Sequence, residues 1–80
     1  MNIKDMMQKL IQDYIEDFDI NKNLDNTFKQ IGMASLDQME LAYIVGEKLD
    51  LKNRIPDELN IGQIVEHLET VIKDNKNENI

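Results

Sequence analysis

The chain has 80 residues, a length that predicts one domain near the lower limit of what folds without help. It contains no cysteine, which excludes disulfides and thiolate metal sites, so any thiol chemistry would have to come from an attached prosthetic group. Its 16 acidic and 9 basic residues give a formal net charge of −7, which repels nucleic acids and anionic membranes and favours partners with basic surfaces.

The N-terminal stretch MNIKDMMQKL alternates apolar residues with charged ones and has no continuous hydrophobic core, unlike a signal peptide. The longest apolar run, Leu41 to Val45, is far shorter than the ~20 residues that a membrane span requires. We therefore expect a cytoplasmic monomer that neither inserts into membranes nor binds nucleic acid.

The first predicted helix runs from about Asn2 to Glu16, because apolar residues recur there at steps of three and four. Asn2 is the expected N-cap. Residues 19–34 keep no sustained period and predict a long loop, which in so small a domain usually has a function. Four apolar residues are expected to hold this loop over the core: Ile20, Leu24, Phe28 and Ile31.

The second helix is predicted to begin at Ser35, because Ser35 and Gln38 have the spacing of a capping box. An apolar line, widened by Leu41 and Ile44, is expected to face the core. Its members are Leu36, Met39, Ala42, Val45 and Leu49. Gly46 interrupts this helix at a cost of about 1 kcal/mol relative to alanine, for no purpose that the sequence reveals.

The rest of the chain predicts a third helix of one turn at IPDEL and a fourth helix over about Gly62 to Lys73. Pro56 suits the first position of a helix, and the acids behind it suit the positive end of the helix dipole. No segment has the period of a strand. We predict an all-α fold: a small four-helix bundle with a long first loop and a short third helix. It forms one domain over residues 1–74, followed by a frayed polar tail over residues 75–80.

Motifs for catalysis or metal binding are missing from the sequence. His67 is the only histidine, has no cysteine to share a metal with, and is expected to be a partly exposed surface residue. The three glycines form no phosphate-binding loop. The stretch Asp19 to Asn23 begins like a calcium loop but lacks the glycine and the closing glutamate. We predict no metal site and no catalysis by this chain alone.

Spacing alone leaves two interpretations of Ser35 open. The hydroxyl could simply cap the helix, a contribution of about 1 kcal/mol. Alternatively, a phosphodiester attached to it would face backbone amides and the positive end of the helix dipole. Exposed acids along the same helix would then suit a basic partner surface. These acids are Asp37, Glu40, Glu47 and Asp50.

The segment TFKQIGMASLDQMEL resembles the corresponding segment of the acyl carrier proteins. The matching positions are Phe28, Ile31, Gly32, Ser35, Leu36, Asp37, Glu40 and Leu41. Downstream, EKLDLKNRIPDEL resembles the stretch of that family in which isoleucine and proline are followed by aspartate and glutamate. Ile61, Ile64 and Leu68 match the spacing of the family's last helix, so the resemblance covers nearly all of the chain.

This resemblance implies that a phosphopantetheinyl transferase attaches 4′-phosphopantetheine to Ser35. Acyl groups would be held as thioesters on the terminal thiol, for fatty-acid or related acyl synthesis. It implies a carrier rather than an enzyme, with Asp37, Glu40 and Glu47 docking the transferase and acyl-processing enzymes that have basic surfaces. It also implies an apolar space beside the second helix for the acyl chain. The candidates to line it are Met39, Ile44, Ile55 and Ile61, with core packing as their alternative role.

The chain departs from the family pattern at three positions of this region. Ala34 stands where the family has aspartate directly before the serine, and Gly46 and Lys48 stand where it often has acids. In the family, that aspartate meets basic groups of the transferase. Three explanations of Ala34 therefore stay open: a specialised carrier with its own transferase, a degenerate carrier, or an engineered substitution. The alternative functions are an unmodified acidic adaptor with the carrier fold and an aminoacyl or polyketide carrier.

Overall fold

A computed structural model describes residues 2–52, 54–56 and 58–78 of the chain. Within these residues the fold consists of three α-helices, α1 (Ile3–Gln12), α2 (Ser35–Leu49) and α3 (Ile61–Glu78), and a short 3-10 helix at Ile20–Lys22. The same part of the chain contains no strand. The predicted all-α class is confirmed.

The predicted third helix is absent from residues 54–56 and 58–60, so the described part of the bundle has three α-helices instead of four. Glu58 has a φ of 68°, in the left-handed region, which a continuing right-handed helix excludes. A one-turn helix also has to meet the cost of nucleation with few hydrogen bonds in return. Asp57, one of the acids expected in its first turn, lies outside the described residues.

The other helices differ from the prediction mainly at their ends. Asn2 is the N-cap of α1 as expected, since its side-chain oxygen accepts from the N–H of Asp5 at 3.0 Å. That helix ends at Gln12 rather than Glu16. The N–H of Tyr14 donates to the carbonyl of Ile11, only three residues earlier, which is a tighter turn than that of an α-helix.

The last helix is longer than predicted at both ends. α3 begins at Ile61 and continues to Glu78, so residues 75–78 are helical where a frayed tail was predicted. Each residue added to an existing helix gains one hydrogen bond, so a helix can continue beyond its last apolar contact. Residues 79 and 80 lie outside the described part of the chain.

The core lies between the three helices, and α1 packs most closely on α3. Each helix and the long loop contribute apolar side chains to it. The buried residues are Ile3, Met7, Ile11, Phe18, Ile20, Met33, Leu41, Val45, Ile61, Ile64, Val65 and Leu68. Because α2 supplies only Leu41 and Val45, it is the helix least embedded in the core.

The buried face of α2 differs from the predicted one. Leu41 and Val45 face the core, whereas Leu36 and Met39, which the apolar line assigned to the core, are 78% and 67% exposed. Ala42 is exposed as well. Apolar residues surround most of this helix, so its periodicity does not select one face. Burial in the core shared with the loop and the other helices makes that choice.

The long loop is bound to α1 through the side chain of Gln8. Its Nε2 donates to the carbonyl of Phe18 at 2.8 Å, and its Oε1 accepts from the N–H of Ile20 at 2.7 Å. The predicted apolar loop contacts are confirmed, with Ile20 buried and the other three packed against the core. One glutamine therefore satisfies two backbone groups where the chain enters the loop.

The same loop meets the start of α3 through its backbone. The N–H of Ile61 donates to the carbonyl of Asn26 at 2.9 Å, and the N–H of Gly62 donates to the carbonyl of Leu24 at 2.8 Å. These N–H groups have no partner inside their own helix. A Cβ on Gly62 would lie 3.1 Å from the Leu24 oxygen, so glycine permits this close approach.

Replacing Gln8 with alanine is expected to destabilise the fold by about 2 kcal/mol, because two part-buried backbone groups lose their partner. Urea unfolding monitored by circular dichroism measures this loss. Gln12→Ala, at an exposed position of the same helix, is the matched control and should change stability little. Equal effects of the two substitutions would contradict the role given to Gln8.

Candidate functional site

Ser35 is the first residue of α2, and its side chain is exposed. The N-cap is Ala34, with extended backbone at φ −67° and ψ 153°, and no side chain caps the helix. The predicted capping box of Ser35 and Gln38 is wrong, because the helix begins one residue too early for it. The Nε2 of Gln38 instead donates to the carbonyl of Met33 at 3.0 Å. The Ser35 hydroxyl is consequently accessible and is not used as a cap.

A capped turn precedes Ser35. The N–H of Gln30 donates to the Thr27 hydroxyl at 3.2 Å, and the N–H of Thr27 donates to the Gln30 side-chain oxygen at 2.8 Å. The sequence contains this signal, a threonine three residues before a glutamine, within the segment predicted to be an irregular loop. The turn ends at Met33, which is buried and fixes the segment leading to Ser35.

A cavity of about 560 Å³ opens beside Ser35, which lines it. This volume falls in the range of ~300–1,000 Å³ found for small-molecule sites. Its walls come from the loop, from one flank of α2 and from the connection to α3, with one residue each from α1 and α3. The apolar lining includes Met7, Phe28, Leu41, Val45, Ile55 and Ile64. An exposed hydroxyl thus stands at the rim of an apolar chamber.

Two of the four residues predicted to line an apolar space do line this cavity, Met39 and Ile55. Ile61 does not, because it is fully buried in the core at the start of α3. Ile44 does not line it either, since it is half-buried on a different side of α2. Spacing identified α2 as one wall but could not identify which flank.

The outer face of α2, defined here by Leu36, Met39, Tyr43, Glu40 and Glu47, combines apolar and acidic side chains. Tyr43 is exposed like Leu36 and Met39, and the two glutamates are exposed beside them. Large exposed apolar side chains grouped on one helix are typical of interaction surfaces. Asp37, the third predicted docking acid, is half-buried in the first turn. Sequence reasoning missed Tyr43 here, although it lies seven residues after Leu36.

A hydrogen bond joins the outer face of α2 to the end of α1. The hydroxyl of Tyr14 donates to Oε1 of Glu40 at 2.5 Å. This bond raises the pKa of Tyr14 to about 12, with smaller contributions from desolvation and from the negative charges of Glu40, Asp37 and Asp13. Tyr14 therefore fixes the position of one acid of this face, a role that sequence reasoning did not foresee.

The raised pKa of Tyr14 predicts a loss of stability in strong alkali. Because its pKa is higher in the folded chain than its ordinary value of 10.0, the stabilisation is complete below pH 10 and disappears as the pH rises toward 12. Tyr14→Phe should lack this component, which is measured as the difference between the two unfolding free energies across that range.

The phenolate absorbance of a Tyr43→Phe variant, in which Tyr14 is the only tyrosine, reports the titration directly. Titration of Tyr14 near pH 10 would contradict the hydrogen bond to Glu40.

Among the described residues, no three histidine, cysteine, aspartate or glutamate side chains are grouped closely enough to hold a metal ion. His67 is half-buried on α3. None of the described helices has the length and apolar character needed to cross a membrane.

Comparison of the chain with protein-family models, with curated proteins and with solved structures finds no match.

Proposed function

We propose that this chain is an acyl carrier protein with 4′-phosphopantetheine attached to Ser35. The supporting observation is the position of Ser35, an exposed hydroxyl at the first residue of a 15-residue helix and at the rim of an apolar cavity. A cap would hold the hydroxyl against the helix amides, and this hydroxyl makes no such bond. A covalent attachment uses both its accessibility and the cavity beside it.

The start of α2 suits the anionic phosphodiester of the arm. The N–H groups of the first helical turn have no side-chain acceptor, and the helix dipole adds a partial positive charge at the same end. A phosphate oxygen on Ser35 lies within the reach of such groups. Asp37 is half-buried in the same turn, and its negative charge opposes the binding of a second anion there.

The arm ends in a thiol, which holds the acyl group as a thioester. The chain has no cysteine, so no internal thiol competes for that acyl group. The cavity shelters the acyl chain from water, with Met39 and Ile55 among its walls. Burial of apolar surface in such a chamber stabilises the loaded carrier by roughly 25 cal/mol per Å².

The fold we propose is the carrier-type bundle, with the α2–α3 connection in the place of the family's short third helix. The carrier itself is not an enzyme and acts as a cytoplasmic monomer without nucleic-acid or membrane partners. Its partners are the transferase and acyl-processing enzymes with basic surfaces, which dock on Asp37, Glu40 and Glu47. The outer face of α2 adds Leu36, Met39 and Tyr43 to this docking surface.

Coexpression with a broad-specificity phosphopantetheinyl transferase should raise the intact mass by one phosphopantetheine. Ser35→Ala should abolish the gain, because it removes the only proposed point of attachment. Electrospray mass spectrometry of the purified chain measures both. An unchanged mass with each of several transferases would defeat the proposal.

Two variants at Ala34 separate the effects of capping and charge on this reaction. Aspartate and asparagine would both cap α2, each stabilising it by about 1 kcal/mol, but only aspartate restores the carboxylate of the family pattern. With a transferase that serves aspartate-containing carriers, Ala34→Asp should be modified faster than Ala34→Asn. Equal rates for Ala34→Asp and the unaltered chain would show that the missing carboxylate is dispensable.

The docking surface predicts that reversing Glu40 and Glu47 to lysine slows modification on the order of tenfold at low salt, because the attraction to basic enzymes is lost. The matched control reverses Glu66 and Glu69, exposed acids of α3, and changes the net charge equally. The measurement is kcat/KM for the transferase. If the two pairs of substitutions had equal effects, the attraction would depend on the net charge of the chain and not on the acids of α2.

A second candidate function is an unmodified acidic adaptor that uses the same outer face. The exposed apolar side chains of α2 and the alanine before Ser35 favour it. In that case Ser35→Ala would leave binding to basic proteins unchanged, and no modified form would exist. An aminoacyl or polyketide carrier would share the chemistry of attachment and differ in its cargo.

A further inference from the structure

Gly46 stands inside α2, where glycine weakens a helix relative to alanine. A Cβ built at this position would meet no atom within 4 Å. Packing within the described part of the chain therefore gives no reason for glycine, unlike at Gly62. The space beside Gly46 is open, and a larger side chain would project into it.

That space is a groove of about 340 Å³ next to the cavity at Ser35. Both are lined by Ala42, Arg54 and Ile55, so these three residues stand where cavity and groove adjoin. Ser35, Met39, Ala42 and Gly46 follow one another at helical spacing and share one flank of α2. At ~1.5 Å per residue, the flank extends about 16 Å from Ser35 to Gly46.

The two parts of this path differ in chemistry. The cavity near Ser35 has mainly apolar walls. The groove beside Gly46 has a more polar lining, in which Tyr43, Glu47, Asp50, Lys52 and Arg54 stand beside the apolar Leu51 and Ile55. The methyl end of an acyl chain in the groove would displace water from the charged groups and offer them no hydrogen bond in return. A hydroxyl at the same place can both donate and accept a hydrogen bond.

We propose that cavity and groove form one elongated site for an acyl chain with a hydrogen-bonding group at its far end, and that Gly46 determines this specificity. The proposal rests on the proposed function for the point of attachment at Ser35. The chain's apolar body fills the cavity and passes Ala42 and Ile55, and its polar end lies beside Gly46. A side chain at position 46 would close the groove and leave the cavity intact.

Free fatty acids test the site independently of attachment. Isothermal titration calorimetry compares octanoic acid, hexadecanoic acid and ω-hydroxyhexadecanoic acid on the unaltered chain and on Gly46→Leu. On the unaltered chain the hydroxylated acid should bind about fivefold more tightly than hexadecanoic acid, the value of one net hydrogen bond. Gly46→Leu should remove that preference and leave the binding of octanoic acid unchanged.

Two further variants are the controls. Gly46→Ala should raise the melting temperature, because alanine favours a helix over glycine and its Cβ meets no atom here. This result would show that substitution at position 46 is compatible with folding. Lys48→Leu places the same new side chain at an exposed position of α2 that lines neither chamber, and it should keep the preference.

Several results would overturn the proposal. They are no preference on the unaltered chain, an unchanged preference in Gly46→Leu, or no binding of any of these acids. The mass of the transferase-treated chain is measured separately. If Ser35 stays unmodified while the preference depends on Gly46, the carrier function fails and the elongated site stands. If Ser35 is modified and the preference is missing, only the elongated site fails.

Discussion

Two backbone hydrogen bonds, from the N–H groups of Ile61 and Gly62 to the carbonyls of Asn26 and Leu24, hold the long loop on the start of α3. They give partners to donors that a helix start cannot satisfy internally, so loop and helix depend on each other. Gln8 fixes the other end of the loop to α1. A loop held in this way presents Ser35 from a defined segment rather than from a flexible one.

The weak embedding of α2 leaves two of its surfaces outside the core. Only Leu41 and Val45 bind it into the core, so one flank borders a cavity and the outer face is left to the solvent. In the proposed carrier, the flank receives the cargo and the outer face receives the enzyme. Three residues of the outer face also line the cavity or the groove: Met39, Tyr43 and Glu47. The hydrogen bond from Tyr14 to Glu40 ties this loosely packed helix to α1.

A small core beside an open cavity also has an energetic consequence. Filling the cavity would add apolar contacts where the chain has few of its own, and a ligand that binds only the folded state raises its stability by mass action. The net charge of −7 works in the opposite direction through self-repulsion. If the proposed carrier function holds, an acyl chain that leaves the cavity on unfolding would lose these contacts, so the loaded form would be the more stable one.

The sequence alone determined the features that depend on neighbours along the chain. They include the all-α class and the Asn2 cap, because propensity and capping act over a few residues. The start of α2 at Ser35 also agrees with the prediction, although the capping box that indicated it does not form. Tertiary structure decided which face of α2 is buried, since that helix is apolar on most sides and only packing into the shared core selects among them. It also decided that Ser35 is no cap, that Tyr14 meets Glu40 and that a groove begins at Gly46. These features depend on the exact start of a helix, on contacts between distant residues or on the shape of a groove, and the periodicity of the sequence indicates none of them.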